Sequence, residues 1–412
     1  NVIVFNEENP APKSIQRRAN ASVNSKTHAY TYVEGTARYA EGTVLYFEAG
    51  WHDVTSLGLD SNQQVYLAPG AVLNSRIQVN ADAENVKIFG RGMLRDGNDT
   101  RAYNSDGLFN YLLNIGYGWN PLCAAKNVEV RDIKLLDSKS FNVVFNAAKN
   151  CNLDNIKIIS NEISTDGISY WGGSSEITVK NSYIYVCDNL FVIGAGGAVK
   201  DLLVENCVLG TSIALFFPQA ALTGENMIFK NLSVFRAKGM IYEVTGGYQG
   251  GTVTIERCAN LAPVSATGSN VGGITSVCWG ATIRNCLNTA DIRSTTNGSY
   301  VGGIAGCASC NSGSSNTNTI ANCFSSSTLT GAAATPLLEY LWMLALAFLW
   351  PHAPKLVYIG VPPLAACLLL AILLLRRLRQ IPARFRRGLA FARRLCHFDK
   401  PALIALCFAL CM

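Results

Sequence analysis

"VEVRDIKLL" (128–136), "CNLDNIKII" (151–159), "ITVKNSYIY" (177–185) and "LLVENCVLG" (202–210) are four versions of one pattern. "MIFKNLSVF" (227–235) and "VTIERCANL" (253–261) continue it, and looser copies stand at 281–289 and 318–326. Aligned on Asp132, Asn155, Asn181, Asn206, Asn231 and Arg257, the steps are 23, 26, 25, 25 and 26 residues. Each copy is a short alternating segment, a polar residue, then a second short β segment. Alternation puts every other side chain inside. Asn at the junction tolerates the left-handed conformation and bonds neighbouring backbone, so it marks a corner. One such unit per ~25 residues leaves no room for a crossover helix. The expected fold is all-β, a right-handed parallel β-helix (a solenoid) with its asparagines stacked in a ladder. A propeller or sandwich needs tight Asn-Gly hairpins, and these do not recur at this period.

The pattern extends both ways. "VLYFEAGWHDV", "QQVYLAPGAVLNS" and "NVKIFGRGMLRDG" look like the opening coils. Residues 1–42 are more mixed and are expected to form a cap or small β region, because an open terminal coil is an exposed sheet edge. Residues 43–249 then form the main solenoid. Over 250–334 Gly, Ser, Asn and Thr rise, and "NVGGITSVCWG" (270–280) returns as "YVGGIAGCASC" (300–310). These resemble the Gly-rich GLUG-type repeats of bacterial surface proteins. Cys258, Cys286 and Cys323 follow the corner in successive units and are expected to form a column of small, partly buried side chains.

Residues 335–412 differ in chemistry. "LVYIGVPPLAACLLLAILLL" (356–375) is twenty residues without a charge, enough to span a bilayer as a helix. Eight arginines follow within 376–394, which suits the cytoplasmic side. The expectation is a hydrophobic helical tail: either a membrane anchor for a solenoid outside the cell, or a segment joined from elsewhere. The net charge of +6 sits in this tail. Residues 1–335 carry 24 Lys and Arg against 26 Asp and Glu, which argues against a nucleic-acid partner. No cofactor or metal is expected. "FGRGMLRDG" has no helix after it to make a phosphate loop, and Cys307-x-x-Cys310 is a lone pair with no partner pair or nearby His.

"VLYFEAGWHDV…VYLAPGAVL…VKIFGRGMLRDG" resembles the opening coils of glycoside hydrolase family 49, the dextranases and isopullulanases, with the polygalacturonase family next. "STDGISYW" (164–171) followed by "VKNSYIYVCDNLFVIG" resembles their shared catalytic segment. The likeness covers about residues 40–235. It implies a polysaccharide substrate and hydrolysis of a glycosidic bond.

Asp166 and Asp188 lie 22 residues apart, close to one coil, so their carboxylates are expected side by side. Inverting glycosidases hold acid and base ~6.5–9.5 Å apart with a water between. The family has three aspartates, one in the Thr-Asp-Gly segment and an Asp-Asp pair one coil later. By resemblance Asp166 is a base that positions water and Asp188 is the general acid. Asn189 stands where the third aspartate belongs, and an amide orients water but takes no proton from it. Tyr170 and Trp171 are candidates to stack on a sugar ring, with packing at the coil edge as the alternative. The polygalacturonase group also has a His, and then Arg-x-Lys, in later coils. Neither is here, so the resemblance favours a neutral glucan such as dextran or pullulan. The competing reading is a catalytically silent surface module that binds glycans. A polysaccharide lyase comes third, since no acidic calcium cluster with an Arg or Lys partner is visible.

Overall fold

A computed structural model describes residues 1–334, apart from 17, 20–30, 33–34, 97–110, 118–123, 195–196, 214, 219–222, 238–249, 267–269, 279, 296–299, 309–316 and 332. By contacts the chain divides into Asn1–Pro336 and Leu337–Met412. The second unit, with the helical tail and the span expected at 356–375, lies outside the described residues. Among the described residues no helix is long and apolar enough to cross a membrane.

The first unit is a stack of β coils. Three parallel sheets of 12, 8 and 11 strands run along it, and a middle coil gives one strand to each. In one coil Ser175–Lys180 lies in the first sheet, Tyr183–Val186 in the third and Phe191–Ile193 in the second. Each pairs in register with its counterpart one coil on, as in Ile177↔Leu202, Ile184↔Leu209 and Phe191↔Phe216. One apolar core runs inside the coils, lined by residues such as Leu153, Ile158, Ile184 and Phe191 at zero exposure.

The solenoid starts earlier than the residue texture suggested. Val2–Phe5 already pairs in parallel with Val44–Phe47, and Ser14–Ile15 with Ser56–Leu57. Part of the expected cap is thus the first coil. Past residue 250 the coils lengthen. The Gly-rich repeats add short parallel pairs, Asn270–Gly272 on Tyr300–Gly302 and Thr275–Cys278 on Ala305–Ala308. Val264, Val271, Ile292 and Val301 form a small second core beneath them.

All the aligned corner residues, from Asp132 to Asn322, have positive φ of 51–66°. The ladder between them is real but interrupted. Asn206 Nδ2 donates to Asn181 Oδ1 at 3.3 Å, Asn231 to Asn206 at 2.9 Å, and Arg257 Nε to Asn231 at 2.7 Å. Asn155 donates to Asp132 at 2.8 Å. Asn181, however, donates to Asp154 at 2.8 Å rather than to Asn155, and the Asn155 side-chain oxygen accepts from Lys157. A second ladder stands at the start of the first sheet's strands, Asn62–Asn85–Asn127–Asn150, with bonds of 3.0, 3.0 and 2.7 Å. Asn206→Ala removes two ladder bonds and puts a residue less tolerant of the left-handed corner in place of Asn, and it should cost roughly 1–2 kcal/mol. Asn206→Gly keeps the corner and loses only the bonds, so its melting temperature should fall by about half as much. If Asn206→Gly melted like the parent, the ladder would contribute nothing.

Cys207, Cys258, Cys286 and Cys323 follow their corners with thiols turned to backbone carbonyls, for example Cys286 Sγ to Arg284 O at 3.3 Å. Each of these four is a free thiol, as expected of a packed column. Burial pushes the Cys207 thiol up to about 11. Cys307 is also free, and Cys310 lies outside the described residues.

Candidate active site

The turn between the third and second sheets carries the three candidate residues. In one coil this is Ser164–Gly167, leading into Ile168–Trp171, and in the next it is Cys187–Leu190, leading into Phe191–Ile193. The backbone locks the two turns together. Gly167 N donates to Asn189 O at 2.9 Å and Ile168 N to Leu190 O at 2.7 Å. Any Cβ at position 167 would meet Leu190 O at 2.5 Å, so this close approach requires the glycine of Thr-Asp-Gly. From the other side, the Asn142 backbone N and Nδ2 both donate to Asp166 O at 2.9 Å. Asn142 is itself held, since its Oδ1 accepts from Ser160 Oγ at 2.7 Å. Both residues are fully buried.

Asp166, Asp188 and Asn189 come together. Asp166 is buried, 3% exposed, while Asp188 and Asn189 are half-buried. Asn189 Nδ2 donates to Asp188 Oδ1 at 3.0 Å and lies 3.4 Å from Asp166 Oδ1. One amide nitrogen therefore bridges the carboxylates of two successive coils. Those oxygens are no further apart than the two contacts laid end to end, just short of the ~6.5 Å lower edge of the inverting range. Asp188 Oδ1 also accepts the Asn189 backbone N–H at 2.8 Å, and the Asp188 carbonyl accepts from the buried Thr211 hydroxyl. Oδ1 of Asp188 thus takes two N–H donors from Asn189.

The two aromatic candidates belong to packing. Tyr170 has zero exposure. Its ring faces the interior, stacked on Phe145 at 5.5 Å with planes 10° apart. No sugar reaches it, and the expectation that it binds substrate is corrected. Burial pushes its phenol pKa well above the ordinary value, and among the described residues its hydroxyl has no hydrogen-bond partner. Trp171 alternates to the outer side of the strand but is only 8% exposed. It packs edge-on against Tyr111 and Phe141 at 5.5 and 5.7 Å, beneath no open ring face, so its role is also packing. Asn142, Ser160 and Thr211 were missed from sequence. Asn142 lies 24 residues before Asp166, about one coil, and that spacing was the available signal.

Among the described residues no group of three His, Cys, Asp or Glu is placed to hold a metal ion. The arrangement suits proton transfer: a buried carboxylate, a second one open on one oxygen, and an amide between them.

Residues 79–213, which include all three site residues, match the sequence model of Glycosyl hydrolases family 28. A polygalacturonase of Brassica napus is 37% identical over 86 residues, 20% of this chain and 21% of that protein. The chain thus spans about a fifth of the curated relative. Similar solved structures include a family 28 exopolygalacturonase of Yersinia enterocolitica, at 12% identity over 73% of this chain and 74% of that one, with a TM-score of 0.42. Dex49A from Penicillium minioluteum gives 13% identity, 71% and 54% coverage and a TM-score of 0.35. PfbA, a surface adhesin of Streptococcus pneumoniae, gives 12%, 65% and 83%, and 0.35. Likenesses this distant carry no weight for activity. The family whose model matches is the polygalacturonase group, placed second by the sequence motifs.

Proposed function

We propose that the chain hydrolyses O-glycosidic bonds within a polysaccharide, with Asp188 as general acid and Asp166 as the base that positions water. The observation that carries this reading is the Asn189 bridge, which gathers two carboxylates from consecutive coils inside the segment that matches a hydrolase family. Protonation of the leaving oxygen and activation of water are the two proton transfers such a cleavage needs. Inversion of the anomeric centre is part of the proposal. The amide fills the space a water would take, and turning it aside opens the gap toward the inverting separation. A polymer too large to enter a cell places the enzyme outside it.

For the substrate we favour a neutral glucan. The later coils carry neither the His nor the Arg-x-Lys that the resemblance associates with a polygalacturonase-type site. The second reading, polygalacturonate, has the family match in its favour. Incubation of the chain with dextran, pullulan and polygalacturonate, with an assay of reducing ends, separates the two. Proton NMR of the first-formed product reads the anomer. Release from none of the three would leave the silent glycan-binding reading.

A further inference from the structure

The outer face of the third sheet holds a feature that hydrolysis does not use. Phe235, 40% exposed, lies nearly parallel to Tyr183, with centroids 5.8 Å apart and planes 14° apart, and at 6.0 Å and 30° from Tyr185. Arg236 lies over Tyr185, its guanidinium 5.6 Å from the ring centre, and donates to the Tyr185 hydroxyl. Sequence and backbone build this platform deliberately. Tyr185 is paired with Gly210, and Gly210 with Arg236, across a register shift. A Cβ on Gly210 would strike the Phe235 ring at 2.5 Å. The missing side chain is what lets Phe235 lie flat across three coils. Exposed aromatic rings laid flat on a sheet gain little from folding, since half of their surface stays in water.

Charge on this face is one-sided. Lys134 and Lys157 occupy the positions paired with one another and then with Tyr183. Among the described residues their ammonium groups bond to oxygens of the backbone or of Asn155. Arg236 has no carboxylate partner among the described residues. Lys157 also feels the Asp132 carboxylate, but the solenoid is near neutral as a whole, so three cations beside three rings form a local patch.

We propose that this platform is a second, non-catalytic binding surface for an anionic glycan, a chain of uronate residues. The C–H face of a pyranose is weakly positive and stacks on the negative face of an aromatic ring. The guanidinium supplies paired donors that match a carboxylate, and Lys157 and Lys134 continue the cationic row by one coil each. The strand of Tyr183 and Tyr185 ends two residues before Asp188. The proposal concerns binding alone and stands whether or not the carboxylates cleave anything.

The test is affinity electrophoresis of the full chain carrying Asp188→Asn, through gels containing polygalacturonate or dextran. The substitution keeps the probe intact whatever the protein's activity. Polygalacturonate should retard the protein, and added salt should weaken the effect. Phe235→Ala should weaken retention about tenfold, the equivalent of 1.4 kcal/mol. Arg236→Gln should weaken it and flatten its salt dependence. Both side chains are exposed, so melting temperatures should stay near the parent's, and a variant that does not fold is replaced by Phe235→Leu or Arg236→Lys. No retardation of the parent, unchanged retention in both variants, or equal retention by dextran would overturn the proposal.

Discussion

Asp188→Asn should abolish turnover of unactivated polysaccharide while sparing substrates with good leaving groups. The acid's task is to protonate a poorly leaving alkoxide, and a group that departs as a stable anion does not need the proton. The loss should be ~10²–10⁴-fold on polysaccharide, the usual worth of a positioned proton donor. Asp166→Asn should damage both kinds of substrate, since water must be activated for either. Asn189 sharpens the test. Its Nδ2 is shared between the two carboxylates, so Asn189→Asp exchanges a donor for a third negative charge. If the amide merely stands in for a second base, that substitution should raise the rate. If the amide is what holds the carboxylates together, it should drive them apart and lower the rate. Rates on polygalacturonate, dextran and an aryl glycoside across the three variants read all of this. Identical background rates in parent and variants would end the enzyme reading.

Tyr170→Ala should destabilise the solenoid by about 4 kcal/mol, the typical loss when a large buried ring is deleted and its cavity only partly closes. Tyr170→Phe should do the opposite and stabilise by about 1 kcal/mol. The hydroxyl is buried without a hydrogen-bond partner among the described residues, and an unmet polar group is a cost that the phenyl ring avoids. The Phe145 stack survives the exchange. Glycan affinity should not change in Tyr170→Phe, whereas a residue that touched sugar through its hydroxyl would lose binding. Thermal melting and affinity electrophoresis on one pair of variants distinguish the two roles.

The same tyrosine shows where sequence stopped being informative. Alternation exposed the core in "ITVKNSYIY" because one face of those strands is wet, so Ile184 and Val179 stand apart from Tyr183 and Lys180. In "ISYW" all four residues are buried. Both faces are covered, so polarity no longer says which way a ring points. Corners were legible for a different reason: few residues tolerate positive φ, and Asn is prominent among them. The second ladder escaped because Asn127 and Asn150 sit inside strands that also carry lysines and read as ordinary exposed positions. Asp166 and Asp188 were legible from their one-coil spacing. That Asn189 bridges them was not, because a side-chain rotamer decides it and no periodicity records a rotamer.

The offset in the corner ladder also has a mechanical side. From Asn181 to Arg257 the links run in line, like rungs fixed to one rail. Below that, the rail steps sideways by one residue, to Asp154, before Asn155 and Asp132 resume it. In-line links resist sliding of one coil over the next, whereas a stepped link tilts under shear. The step lies between the coil that bears Asp166 and the coil that bears Asp188. The two carboxylates thus flank the level at which the ladder steps, and there the backbone bonds from Gly167 to Asn189 and from Ile168 to Leu190 carry the register that the side-chain rail does not.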